Sequence, residues 1–338
     1  IDRYLDAVKG DFGRRTLARK IVRENRGFFD GDFYTEVESV RSLIRYRTGA
    51  MGRSARKNAE NGDLLRREFV RDEMKPSEYM SQFLSKTKAE ERNDWVLPDD
   101  IKKPLIISDL HIPYHSEEAI MAVLDHGFKR GCDAIYINGD LIDFHKTSYW
   151  KSDPTSPRTQ VEIDETQTFL EGLVSLGLPV FYKKGNHEDR HEKYLIDNAP
   201  EMFDLDGVQF DRVMGLDELD IEVIESKQKA KFGSLLVIHG HEFGKSVFSP
   251  VNPARGLFLR AKTSVIAGHF HQPSHHSEND LNGKATGCWS TGCLCDLAPD
   301  YRPFAYTKWK HGAAIVSLEE DGFSVENFSV INGKVRSS

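Results

Sequence analysis

From Pro104 onward the chain repeats one pattern: a short unbroken apolar run, a polar cluster, then a stretch with helical apolar spacing. The runs are Pro104–Ser108, Ala134–Ile137, Pro179–Tyr182, Leu235–Ile238 and Ser264–Ala267. Unbroken runs of this length read as strands buried on both faces, as in a parallel sheet. Glu117–Arg130 and Thr159–Leu176 are the best helical patterns. After Ile221 strands dominate, at Asp220–Ile224, Ser234–Ile238, Val265–Ala267, Ala285–Trp289, Ala313–Leu318 and Phe323–Ser329. Hairpin-like turns at Asn282-Gly283 and Asp321-Gly322 join some of them. The first 50 residues differ. Arg14–Asn25 places Leu17, Ala18, Ile21 and Val22 on one helical face, and Thr35–Arg47 does the same with Val37, Val40, Leu43 and Ile44. Thr35 suits the cap of that second helix and Gly49 its exit. Residues 50–103 have weak periodicity and are punctuated by Pro76, Pro98 and Pro104, with one helix predicted around Pro76–Lys88. The expected division is a small helical domain over 1–72, a linker over 73–103 and a large α/β domain over 104–338.

The polar clusters carry the chemistry. They read Asp109-Leu-His111, Gly139-Asp140-Leu-Ile-Asp143, Gly185-Asn186-His187-Glu188, His239-Gly240-His241 and Gly268-His269-Phe270-His271. Each follows an apolar run, and ligand sites in such sheets collect at the carboxyl ends of strands. Asp, His and Asn without a cysteine cluster suit Mn²⁺, Fe²⁺ or Zn²⁺ rather than a thiolate zinc finger. A reaction at phosphorus needs a nucleophile at neutral pH, counter-charge on the phosphoryl oxygens and a proton for the leaving group. Two metals roughly 3.5–4 Å apart supply the first two. One carboxylate has to bridge them, and an acid that binds no metal has to stand at the leaving-group side.

In this order the five motifs resemble the calcineurin-like metallophosphoesterase superfamily. The tail Gly292-Cys293-Leu-Cys295, Pro299-Asp-Tyr301 and Trp309-Lys-His-Gly312, with the Asp-Leu-His-Ile-Pro-Tyr-His form of the first motif, is similar to its bacteriophage and prophage branch. The resemblance covers most of residues 104–320 and leaves 1–100 outside. It implies a four-layer α/β/β/α sandwich with two mixed sheets, and a dinuclear metal-dependent phosphoesterase working by a two-metal mechanism. It implies one metal held by Asp109, His111 and His271, and a second held by Asn186, His239 and His269, with Asp140 bridging. His187 matches the family's proton donor to the leaving oxygen. Asp143 matches the carboxylate that orients and charges that histidine. Arg190, three residues beyond His187, is placed by our own reading within reach of a phosphate oxygen. Mn is the first expectation for both metals, with Fe or Zn as alternatives, because motif identity does not separate them.

Other residues have blander readings. His241 reads as a group beside the ligands rather than an eighth ligand. His115 and His145 read equally as cleft residues or loop histidines, and His275 and His276 as part of a solvated turn. Cys293 and Cys295 are spaced wrongly for a zinc knuckle or redox pair and read as small packing residues. Trp289, Tyr301 and Trp309 read first as core and second as platforms for a base.

Charge changes the picture at the N-terminus. The whole chain carries −7, yet residues 1–71 hold 17 Lys and Arg against 11 Asp and Glu. A basic arm on an acidic body is how a separate nucleic-acid contact would look, and a solvated helical surface would look the same. The two helical patterns resemble a helix-turn-helix, with Arg41, Arg45 and Arg47 on or just past the second helix and Arg53, Arg56 and Lys57 following. The Arg26–Tyr34 connection is longer than the usual turn. Together with the phage-like resemblance, this arm makes nucleic acid or a nucleotide the expected substrate, cleaved by a phosphodiesterase or nuclease with DNA contact by the N-terminal domain. Nucleotide, cyclic-nucleotide or phosphoprotein hydrolysis, with the arm used for docking, is the alternative, and a catalytically inactive DNA-binding regulator comes last. Four cysteines, no long apolar run and no signal-peptide layout at Ile1-Asp-Arg-Tyr-Leu lead us to expect a cytoplasmic protein without a membrane partner. The chain does not begin with Met, which leaves a trimmed start open, and oligomeric state is not legible.

Overall fold

The computed structural model describes residues 1, 3–5, 13–48, 50, 75–81, 83–87, 89, 92–148, 156–246, 251–299 and 306–337. Tyr301, Arg53, Arg56, Lys57 and Gly49 lie outside the described residues. The chain forms two compact units, Ile1–Ala89 and Glu90–Ser338.

In the first unit, helices α1 (Arg14–Glu24) and α2 (Phe33–Arg47) flank a short 3₁₀ turn at Arg26–Phe28. Leu17, Ala18, Ile21 and Val22 meet Val37, Val40 and Ile44, with Leu5 beside them. Leu43, expected on that face, is instead 51% exposed. It lies roughly 60° around the helix from Val40, outside the stripe that faces α1. The cap also differs from expectation. The Asp32 carboxylate accepts from the amides of Tyr34 (3.0 Å) and Thr35 (3.1 Å), so α2 begins two residues before Thr35. A six-residue helix α3 (Pro76–Ser81) occupies the first half of the Pro76–Lys88 span.

The second unit begins earlier than periodicity suggests. Trp95–Val96 forms β1, followed by β2 (Pro104–Ile107), α4 (Glu117–Lys129), β3 (Ala134–Asn138), α5 (Thr159–Val174), β4 (Val180–Lys183), α6 (Glu188–Asn198), α7 (Phe210–Val213) and β5 (Glu222–Ile224). Next come β6 (Ala230–Phe232), β7 (Leu235–Ile238), α8 (Pro253–Ala261), β8 (Val265–Ala267), β9 (Ser274–Asn279), β10 (Ala285–Ser290), β11 (His311–Glu319), β12 (Gly322–Ile331) and β13 (Lys334–Ser337). β1 falls in the expected linker. Its anchor is the Trp95 ring, 5.1 Å from Phe181 and 6.0 Å from Tyr136. Two residues show no periodicity, so that anchor was not visible in the pattern.

Seven strands pair in the order β13-β12-β11-β2-β3-β4-β5, parallel from β2 to β5 and antiparallel beyond. Six pair as β1-β6-β7-β8-β10-β9, again mixed. The side-chain alternation of a strand then builds the layers. Leu105 and Ile107 face Val123 of α4 and Leu170 of α5, whereas Ile106 between them faces Phe232, Val237 and Ile266 of the other sheet. On the far side of that sheet, Ile238 and Val265 pack against Ala254 and Leu257 of α8. The result is helix, sheet, sheet, helix. His275 and His276 lie on edge strand β9 rather than in a turn, and His275 stacks on Trp289 at 5.1 Å.

Candidate metal centre and catalytic site

Every predicted ligand stands just past the carboxyl end of a strand. β2 delivers Asp109 and His111, β3 Asp140, β4 Asn186, β7 His239, and β8 His269 and His271. Two sheets must meet for this, and Asn138 joins them. Its amide donates to the Ile238 carbonyl at 2.8 Å, and its own carbonyl accepts from His239 Nδ1 at 2.6 Å. Gly139 follows at φ +84°, where a Cβ would come within 2.5 Å of His239 Nδ1 and 2.8 Å of Gly185 Cα. Only glycine allows that approach.

Five of the predicted ligand residues have left-handed backbones: Asp109 (φ 57°), His111 (51°), Asp140 (53°), His269 (64°) and His271 (56°). Phe144, next to Asp143, is also left-handed at 47°. Such a conformation costs an L-residue about 1–2 kcal/mol. Here neighbouring bonds hold it: His111 N donates to the Asp140 carbonyl at 3.0 Å, and His269 N to Asp109 Oδ2 at 2.9 Å. Strain of this kind gathers at functional sites.

Two donor sets result. In the first, His271 Nε2 is 3.0 Å from Asp109 Oδ1 and 3.3 Å from His111 Nε2. In the second, Asp140, His239 and His269 present ligand atoms within 4.8 Å of one another. Asp140 Oδ2 lies between them, 3.9 Å from His111 Nε2 and 3.2 Å from His239 Nε2. The residues fit two cations on their own chemistry. Buried Asn186 Oδ1 has no hydrogen-bond partner among the described residues, and such an atom is costly without one. The facing nitrogens of His111 and His271 also ask for a cation between them.

The electrostatics agree. Burial opposes ionisation of Asp109 and Asp140, but the histidines around them hold both carboxyls below the usual range. Burial likewise opposes charging His239 and His271, yet Asp140 and Asp109 respectively push each up to about 10. Burial and the His239 charge bring His269 down to about 4. Without metals, protons supply the positive charge that the carboxylates demand.

Asp143, 2% exposed, is an acceptor hub. Its Oδ1 is 3.1 Å from both His111 Nδ1 and His187 Nδ1, and its Oδ2 is 3.6 Å from His145 Nδ1. His187 Nδ1 also donates to the Asp143 carbonyl at 2.8 Å. Arg190 turns inward, donating to that carbonyl (2.7 Å) and to His187 Nε2 (2.8 Å). His187 is thus neutral, with its proton on Nδ1, and burial lowers its pKa. His241 stands beside the ligands with acids on either side, Asp189 at 3.5 Å and Glu242 at 3.7 Å. His115 pairs with Cys295 in an isolated bridge. Trp289 belongs to the core between the sheets, while Trp309 sets its ring 4.3 Å from His271. In the other unit, Arg41 is paired with Glu38 at 2.8 Å, and Arg45 and Arg47 are exposed.

Two glutamates received no role from the sequence. Glu188 accepts from the amides of Asp140 (3.0 Å), Leu141 (2.8 Å) and Gly185 (2.7 Å) and from Tyr182 Oη (2.7 Å). Glu242 accepts from the amides of His239 (3.0 Å) and Gly240 (2.6 Å). Burial raises the Glu242 carboxyl, but the fully buried ammonium of Lys183, 3.2 Å away, and neighbouring histidines bring it down to about 2. Each glutamate directly follows a histidine of a ligand motif, the one sequence signal that could have found them.

Comparison with known proteins gives the family. The Calcineurin-like phosphoesterase profile matches residues 102–303. The Gene 54 protein of Mycobacterium phage L5 is 26% identical over 244 residues, covering 69% of this chain and 95% of the phage protein. Among solved structures, Vacuolar Protein Sorting 29 from Cryptosporidium parvum aligns with a TM-score of 0.38 at 14% identity, covering 71% of this chain and 97% of that one. Yfce, a phosphoesterase from E. coli, aligns with a TM-score of 0.33 at 17% identity, covering 66% and 91%.

Proposed function

Because the chain belongs to the calcineurin-like phosphoesterase family, we propose that it hydrolyses phosphodiester bonds of nucleic acid with two divalent cations, Mn²⁺ first. Asp109, His111 and His271 would hold one cation and Asn186, His239 and His269 the other, with Asp140 reaching both. Bound there, the cations supply counter-charge for phosphoryl oxygens and acidify a water.

The chain's own residues do the rest. Asp143 draws the Nδ1 protons of His111 and His187 towards itself, fixing which nitrogen each ring turns to the cleft. His187 gives a proton from Nε2 to the leaving oxygen. To do so Nε2 must first lose the Arg190 guanidinium and take up a proton from solvent, and an incoming phosphate oxygen competes for that guanidinium. Substrate binding would then free Nε2 as it brings Arg190 onto the phosphate.

What supports nucleic acid as substrate is the basic unit in the same chain. Helix α1 exposes Arg15, Arg19, Lys20 and Arg23, and cations of this density suit a phosphate backbone. Nucleotide or cyclic-nucleotide hydrolysis is the competing reading, since the metal centre alone serves any phosphoester. Product analysis with Mn²⁺ separates them: a nuclease shortens single- or double-stranded DNA or RNA. Intact oligonucleotides beside hydrolysed mononucleotides or cyclic nucleotides would reverse the assignment.

A further inference from the structure

Each metal-side histidine with a defined partner on its remote nitrogen shows what steers it. His239 Nδ1 donates to the Asn138 carbonyl at 2.6 Å, and His111 Nδ1 to Asp143 Oδ1 at 3.1 Å. Oxygen acceptors are the usual arrangement behind a ligand histidine. His271 differs: its Nδ1 faces the sulfur of Cys295 at 3.8 Å. We propose that Cys295 is a positioning residue for the first cation, its sulfur holding the His271 ring so that Nε2 points at Asp109 and His111.

The surroundings give that sulfur a fixed place. Cys295 is 3% exposed, and its own carbonyl accepts from His311 Nε2 at 2.9 Å. On the preceding residue, Leu294 N donates to the Asp109 carbonyl at 3.0 Å, and Ser116 N donates to the Leu294 carbonyl at 2.8 Å. On the following one, Asp296 N donates to the Tyr114 carbonyl at 2.6 Å. The segment is thereby tied to the loop that carries Asp109 and His111. Alternation sends the Leu294 side chain into the core under the helices and the flanking cysteines the other way. Cys293 directs its thiol to the Lys310 carbonyl at 3.7 Å and its sulfur also borders His271 and Cys295, while Cys295 is the one that faces Nδ1. His271 is held elsewhere too: Lys310 N donates to its carbonyl at 2.9 Å, and Trp309 covers its ring. The donor atoms of His111, His271 and Cys295 all lie within 4.8 Å of one another, which puts the sulfur beside the first donor set.

The proposal rests on the two-cation reading of the site, and the test separates the two. Mn²⁺ binding to the full-length chain is measured by equilibrium dialysis and electron paramagnetic resonance for wild type, Cys295→Ala and Cys295→Ser. The expected result is two Mn²⁺ per wild-type chain, with one of the two weakened about tenfold or more in Cys295→Ala. Cys295→Ser, which restores an acceptor, recovers part of that loss. Unchanged affinities in both variants overturn the proposal, and the serine variant keeps it testable if the alanine variant does not fold. A Co²⁺-loaded chain showing a thiolate charge-transfer band that Cys295→Ala abolishes also overturns it, since Cys295 would then be a ligand. A wild-type chain that binds no Mn²⁺ removes the two-cation reading itself, and this proposal with it.

Discussion

His187, the proposed acid, holds one proton in its resting ring, on Nδ1, with Arg190 on the other nitrogen. Its contribution should depend on how badly the leaving group needs help. His187→Ala is expected to lower kcat by roughly 10²–10⁴ on an alkyl phosphodiester, and far less on a nitrophenyl ester, whose leaving group departs unaided. Equal losses on both would deny it the acid role. Arg190→Ala should cost about 10–100-fold in kcat/KM, the worth of one charged hydrogen bond. A rise in KM would place the guanidinium on the substrate, and a fall in kcat alone would confine it to His187. Glu162 makes a different prediction. It is fully buried on α5, where the amides of Phe144 and His145 approach its carboxylate. Burial first, and the Asp143 charge second, raise its pKa from 4.5 to about 7, against the pull of His145 and the amides of Phe144 and His145. A carboxyl with a raised folded pKa contributes stability that is complete below its unfolded pKa and lost as pH rises through the folded one. Stability should therefore fall between about pH 4.5 and 7 by on the order of 2 kcal/mol. Glu162→Gln should flatten that slope in urea melts, and a variant that keeps it would move the cause elsewhere.

Among the elements, strand ends and the loops after them are what the site depends on, and buried acids hold those loops. Glu188 gathers the amides after β3 and β4 into one carboxylate, and Glu242 does the same after β7. Lys183, the last residue of β4, serves the second of these. Its ammonium is fully buried and donates to the carbonyls of Glu225 (3.3 Å), Ser226 (3.0 Å) and Gln228 (2.7 Å) besides pairing with Glu242. Removing one partner of a buried pair leaves the other charge stranded, at a cost of about 3–5 kcal/mol. Lys183→Met should lower the urea midpoint accordingly. A loss under 1 kcal/mol would show that the pair is not needed for folding. The helices matter less directly. Ser116 caps α4 by accepting from Ala119 N at 3.3 Å, and the long apolar faces of α4 and α5 press on the sheet whose ends carry Asp109 and Asp140.

At the scale of the whole molecule, metal binding, folding and pH are linked. His239 and His271 stay protonated up to about pH 10 without metals, so loading must displace those protons. Mn²⁺ affinity should rise with pH between about 6 and 10, with proton release read from titrations in buffers of different ionisation heat. Pairs of titrations that agree in every buffer would contradict it. The basic unit offers a second test, because Arg41→Ala with Arg45→Ala should flatten the salt dependence of DNA binding. An unchanged slope would leave those arginines as solvated surface. No helix among the described residues is long and apolar enough to cross a membrane. Much of this was legible locally. An apolar run followed by a polar cluster states both that a strand ends and which side chains stand at its end, so the places of the central strands along the chain and the choice of Asp109, Asp140 or His239 as candidates follow from neighbouring residues. The edge strands β1 and β9 were illegible because their partners, not their own patterns, define them. The same holds for the work of Glu188, Glu242, Lys183 and Cys295, and for Arg190 turning inward. Asp109 meets His271 across 162 residues of chain, and such meetings exist only once two sheets have packed face to face. Local pattern therefore chose the chemical groups, and the packing of the sheets chose their distances, their protonation and their partners.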